Sequence, residues 1–235
     1  REDETSKALS LLGNCNLLVI TGNAGVGKSR LALKILNQFC DSNPTFTPVC
    51  IDNKGCPIYE DVRVHLQSQN DYILLVDDAN RATKHYEFLI NLLKEERKGN
   101  IKIVATVRDY ALNIVEDASK NFTYNKIKVN PLSDKQIRKI LESDDFKITN
   151  RDYSDVIVMV AQGNPRLAIM AAKVALEKQD LSAFNEIPKI YDSYYDGVVK
   201  EIDKLGDITF LKVLGIISFF KTIGKGYRNK EEIFS

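Results

Sequence analysis

The feature that most constrains this chain is an octapeptide, Gly22-Asn23-Ala24-Gly25-Val26-Gly27-Lys28-Ser29. It satisfies G-x-x-x-x-G-K-[ST] at every fixed position. Leu17-Leu18-Val19-Ile20 before it reads as a short buried strand. Arg30 to Phe39 after it is rich in Leu, Ile and Ala and long enough for a helix. Strand, glycine loop and helix together are the context in which this motif binds a nucleotide phosphate chain.

The residue types follow from the chemistry. Glycines let the backbone curl so that successive N–H groups point at phosphate oxygens. The helix that the loop opens adds unsatisfied N–H groups and a dipole that favours an anion. Lys28, expected at a solvent-facing wall of this cradle, reaches the β- and γ-phosphates as a point charge, and Ser29 offers its hydroxyl to Mg²⁺. The expected nucleotide-binding residues are Gly22, Asn23, Ala24, Gly25, Val26, Gly27, Lys28, Ser29 and Arg30, with ATP/ADP and Mg²⁺ as cofactors.

With 235 residues the chain buries a real core and has room for more than one subdomain. Its net charge of +1, Lys+Arg 33 against Asp+Glu 32, carries no nucleic-acid footprint. No apolar run approaches the roughly 20 residues of a membrane span. Cysteines at 15, 40, 50 and 56 are too sparse for a disulfide framework and lack paired zinc-ligand spacing, so reduced thiols and a cytoplasmic location are expected. The first residue is Arg1, no signal peptide is visible, and both ends read as cut from a longer protein.

Along the chain, apolar strands alternate with helices. Strands are expected at 17–20, 46–51, 72–76, 101–106 and 125–129. Helices are expected at 1–12, 28–39, 59–67, 82–98 (stopped by Gly99-Asn100) and 109–117. That alternation implies a parallel sheet covered on both faces. The texture changes at Asn130-Pro131. Ser133 caps a helix through Ile140, a second helix runs from Asn150 to Gln162, and an Ala-rich helix runs from Arg166 to Lys178. Two further helices are expected at 189–204 and 208–221. The fold class is therefore α/β: a P-loop core with a parallel five-stranded sheet over 1–130, a helical subdomain over 131–186, and the start of another over 187–235.

Asp77 and Asp78 close the apolar strand Tyr72 to Val76. A carboxylate there holds Mg²⁺ through oxygen, with a solvated strand end or a helix cap as the plain alternative. Asp78 stands where a water-positioning carboxylate often lies. Arg108, at the end of the strand from Ile101, either forks onto a γ-phosphate or pairs with Asp109 or Glu116. Gly163-Asn164-Pro165 by itself is a helix stop followed by a first-turn proline.

Taken together these segments resemble the STAND class of P-loop NTPases, including its NB-ARC and NACHT modules. That class includes plant disease-resistance proteins, apoptosome scaffolds, and bacterial antiviral and regulatory ATPases. Gly22 to Ser29 matches Walker A. Leu74-Leu75-Val76-Asp77-Asp78 matches Walker B with its paired aspartates, and Lys102 to Arg108 looks like the sensor strand ending in T-x-R. Val129 to Ser133 is similar to the entry into the helical lid, and Gly163-Asn164-Pro165 to the lid's G-x-P motif. Arg1-Glu2-Asp3-Glu4 looks like the tail of the upstream G-R-E-x-E motif.

The resemblance implies catalytic roles for Lys28, Asp77, Asp78 and Arg108, a metal site at Ser29 and Asp77, and base contact from Pro165. It makes 131–186 the lid and 187–235 the truncated start of a winged-helix-like subdomain. The implied function is an ATP/ADP switch with slow Mg²⁺-dependent hydrolysis that controls lid opening and homo-oligomerisation. Sensor and effector domains would lie outside this chain. The alternative is a fast-cycling AAA+-like ATPase acting on nucleic acid, a loader or remodeller. Such proteins usually carry Asp-Glu in Walker B and a basic face.

Overall fold

The computed structural model describes residues 1–51, 57–178 and 190. Five strands form one parallel sheet: β1 (Leu17–Gly22), β2 (Phe46–Ile51), β3 (Asp71–Val76), β4 (Ile101–Arg108) and β5 (Asn125–Lys128). Their spatial order is β2-β3-β4-β1-β5. β4 therefore lies between the strand that feeds the glycine loop and the strand that ends in the paired aspartates. β2 is an edge, which is why Pro48 is tolerated inside it.

Side-chain alternation explains the layers. β1 sends Leu17 and Val19 to one face, where Leu74, Ile103, Tyr86 and Leu89 join them. It sends Leu18 and Ile20 to the other, among Ile73, Val104, Leu31 and Ile35. The first face is covered by α3 (Tyr59–His65), α4 (Thr83–Asn91) and α5 (Leu112–Ser119). The second is covered by α1 (Glu2–Asn14) and α2 (Lys28–Ser42). Each fully buried Leu or Ile contributes about 1.5–3 kcal/mol, so burial on both faces holds the central strands β1, β3 and β4 within the sheet. The expected strands and most of the expected helices appear within a few residues of their predicted bounds.

The helix expected over 82–98 is a correction. α4 ends at Asn91, a 3₁₀ turn runs over Leu92–Lys94, and Glu95 is extended. The reason is a competing set of bonds. Lys98 and Gly99 both donate backbone N–H to Ser68 O, and Arg97 Nη2 donates to Gln67 O at 2.8 Å. The segment is pulled onto the loop before β3, so Gly99 marks a close approach and does not stop a helix. A Cβ on Gly99 would lie 2.1 Å from Asn70 O. Gly99→Ala is therefore expected to destabilise the protein by about 1–3 kcal/mol, the usual range for overpacking. A lowered urea midpoint at constant slope would register it.

After β5 come α6 (Asp134–Leu141), α7 (Arg151–Ala161) and α8 (Pro165–Lys178). Ser133 and Gln136 form a reciprocal capping box on α6, and Asn150 Oδ1 caps α7. The chain divides into compact units at Arg1–Ile169 and Met170–Ser235. In the second, Met170 to Lys178 is helical, with Ala171, Ala172 and Val174 buried. The helices expected at 189–204 and 208–221, and the winged-helix-like start, lie outside the described residues apart from Ile190. Among the described residues no helix is long and apolar enough to cross a membrane.

Candidate nucleotide site

The octapeptide forms the turn between β1 and α2. Gly25 and Gly27 have φ of +79° and +95°, a region that L side chains rarely adopt, so the backbone path requires glycine at the motif's Gly27 and also at Gly25, which the motif leaves free. Gly27 sits at the N-cap of α2 with no side chain between the helix N–H groups and the outside. An anion fits there.

Lys28 is a correction to the sequence reading. It is buried, with 7% of its surface exposed, and does not line a solvent-facing wall. The loop wraps around its stem, and its ammonium donates to Gly22 O at 2.8 Å and Asn23 O at 2.9 Å. Burial pushes its pKa below the usual lysine value, and the charge of Asp78 is the largest influence opposing that shift.

The paired aspartates diverge. Asp77 Oδ1 accepts from Ser29 Oγ at 2.7 Å and from Thr106 Oγ1 at 2.6 Å. Thr106 is fully buried on β4 and also accepts from the Asp78 backbone N–H at 2.9 Å. Asp78 has φ +48°, in the left-handed region. Its Oδ2 lies 3.0 Å from Arg81 Nε and 3.4 Å from Arg108 Nη2. The partners proposed for Arg108 on sequence grounds are occupied elsewhere: Asp109 faces Thr21 and Lys128, and Glu116 faces Lys126. A cavity of about 310 Å³ opens here, with Ser29, Asp77, Asp78, Arg81, Cys50 and Ile51 among its lining residues.

Two hard oxygen ligands, Ser29 Oγ and Asp77 Oδ1, thus converge beside the phosphate loop. That donor set suits Mg²⁺, which takes one or two protein oxygens and completes its shell with phosphate and water. Among the described residues there is no cluster of three or more His, Cys, Asp or Glu suited to a metal held by protein alone.

The helical segment also reaches the loop. Asn164 Nδ2 donates to Ala24 O at 3.2 Å, and Arg166 N donates to Gly25 O at 3.4 Å. A Cβ placed on Gly27 would lie 3.9 Å from Pro165 Cγ, ordinary van der Waals contact. From the opposite end of the sequence, Arg1 Nη2 donates to Val26 O at 2.7 Å and to Asn130 O at 3.0 Å.

The family model for novel STAND NTPase 3 matches residues 1–145. The chain belongs to this family. Membership in the novel STAND NTPase 3 family makes it a STAND-class P-loop NTPase and accounts for the strand–loop–helix start and the parallel sheet. No curated protein matches the sequence.

Among solved structures, a Walker-type ATPase of Pyrococcus abyssi matches with a TM-score of 0.58 at 17% identity, over 87% of this chain and 75% of that one. The Aeropyrum pernix ORC1 protein in complex with DNA gives 0.63 at 17% identity, over 100% of this chain and 75% of that one. A RuvB variant of Thermotoga maritima gives 0.56 at 16% identity, over 82% and 66%. At such identities the likeness concerns the fold.

In this STAND NTPase, Lys28, Ser29, Asp77, Asp78 and Arg108 come together at one end of the sheet, and Pro165 lies against the loop. Arg30 is exposed in the first turn of α2. Sequence reasoning passed over Thr106, Arg81 and Asn164 as site residues. Thr106 was visible as a polar residue inside the apolar run Ile103 to Val107, and Arg81 as a cation three residues after Asp78.

Proposed function

We propose that this chain is the ATP/ADP switch module of a larger signalling or defence protein. ADP joins the sheet core to the lid and holds a closed resting form. Exchange for ATP releases the lid and permits homo-oligomerisation, with the sensor and effector domains supplied outside this chain. A ligand shifts such an equilibrium only through different contacts in the two forms. The observation that carries the reading is the pair of hydrogen bonds from Asn164 Nδ2 and the Arg166 N–H to the phosphate loop, with Pro165 beside Gly27.

Each side chain has a defined part. Lys28 and the loop N–H groups bind the β- and γ-phosphates, Arg108 senses the γ-phosphate, and Pro165 packs on the base. Ser29 and Asp77 hold Mg²⁺, which supplies charge neutralisation on the phosphate oxygens. Asp78 positions water. Its Oδ2 is held by two arginines, which limits its freedom to reach a water and favours slow turnover.

The test of the switch is Pro165→Ala. ADP raises the melting temperature of the native state by mass action, and that rise should shrink in the variant while the nucleotide-free melting temperature stays near wild type. Equal ADP-induced shifts in both proteins would remove the lid's reading of nucleotide through Pro165. The alternative, a fast-cycling ATPase on nucleic acid, is addressed by steady-state turnover with and without DNA. The switch reading expects no stimulation.

A further inference from the structure

Each backbone carbonyl from Gly22 to Gly27 accepts a hydrogen bond. Lys28 Nζ takes those of Gly22 and Asn23, Asn164 Nδ2 takes Ala24, Arg166 N takes Gly25, Arg1 Nη2 takes Val26, and Leu31 N takes Gly27. The peptide bonds are trans throughout the described residues. In a planar trans peptide the C=O and the following N–H point in opposite directions. Holding a carbonyl outward therefore also aims the next N–H.

Asn164 occupies a particular place in that set. Its Oδ1 accepts from Arg166 N at 3.0 Å and Leu167 N at 3.3 Å, which caps α8. Two backbone donors on Oδ1 fix the amide orientation, so Nδ2 is the group that faces Ala24 O. One side chain thus caps a helix of the lid and bolts that helix to the phosphate loop.

We infer that Asn164 is a positioning residue for phosphate. By holding Ala24 O toward the lid it aims the Gly25 N–H into the cradle, so the lid prepares the phosphate site before any base contact is made. This rests on the phosphate-site reading above and extends it: the lid acts on the phosphates through Asn164 and on the base through Pro165.

The two contacts separate by ligand. Ser and Thr cap helices nearly as well as Asn, but their short hydroxyls do not reach Ala24 O while capping. Asn164→Ser and Asn164→Thr should keep the ligand-free melting temperature close to wild type. Both should weaken pyrophosphate binding, measured by calorimetry, roughly three- to tenfold, the span of one neutral hydrogen bond. ADP affinity should fall by the same factor. Pro165→Ala should weaken ADP and leave pyrophosphate unchanged. Wild-type pyrophosphate affinity in either cap-keeping variant overturns the role of Asn164 and leaves the Pro165 reading standing. Loss of pyrophosphate affinity in those variants, with Pro165→Ala binding ADP like wild type, keeps the bolt and removes the base contact.

Discussion

Lys28→Ala and Lys28→Met should bind ADP and ATP at least roughly 10²-fold more weakly than wild type. A hydrogen bond to a charged group contributes about 1.5–3 kcal/mol, and every 1.4 kcal/mol is tenfold in affinity. Lys28 would make such bonds to two phosphates. Its burial also sets what happens without nucleotide. The ammonium is held among backbone carbonyls with little solvent, and that environment lowers its pKa. The folded protein therefore binds this proton less well than the unfolded chain does. The resulting cost is fully present below the lowered folded pKa and fades as pH rises toward the unfolded lysine value, so stability from this group increases with pH. Lys28→Met removes the charge and fills the same volume, and its ligand-free stability should lose the pH dependence that this group gives wild type. Lys28→Ala leaves a gap and should lose stability. Calorimetric titration and urea melts at two pH values measure both arms. An ADP affinity in Lys28→Met equal to wild type would sink the phosphate-site assignment.

How much of this was legible in the sequence depends on how local each signal is. The glycine loop needs eight consecutive residues, and Gly22 and Gly27 stand where the motif fixes them, while Gly25 adds a left-handed glycine at a position the motif leaves free. The paired aspartates close an apolar strand and are local as well. Thr106 is different. It touches Asp77 because β4 lies between β1 and β3, and strand order is a property of the whole sheet. The same insertion brings Arg108 to Asp78, 30 residues earlier in the chain, in preference to its sequence neighbour Asp109. Gly99 looked like a helix stop because its neighbour across space, Asn70, is invisible to a helical period. Asn164 was legible as one residue of a loop motif, while its partner Ala24 is 140 residues away.

Asp77 and Asp78 should give two separate phenotypes despite being adjacent. Asp77 Oδ1 faces Ser29 and Thr106, the hydroxyl side of the site. Asp78, turned by its left-handed backbone, faces Arg81 and Arg108. Asp77→Ala should therefore abolish the Mg²⁺ dependence of ATP affinity, because one of the two converging protein oxygens is gone. Asp78→Asn should keep ATP bound and slow hydrolysis roughly 10²-fold, the scale of losing a positioned general base. Asn is the right replacement because it tolerates the left-handed conformation better than Ala, so the backbone bond from Asp78 N–H to Thr106 survives. The pair is read by ATP titrations with and without Mg²⁺ and by single-turnover hydrolysis. Exchange of the two phenotypes would mean that Asp78 holds the metal and Asp77 the water. The hydroxyl pair on Asp77 would then be a brace for the strand end, and Arg81 and Arg108 would be charges placed around a metal ligand.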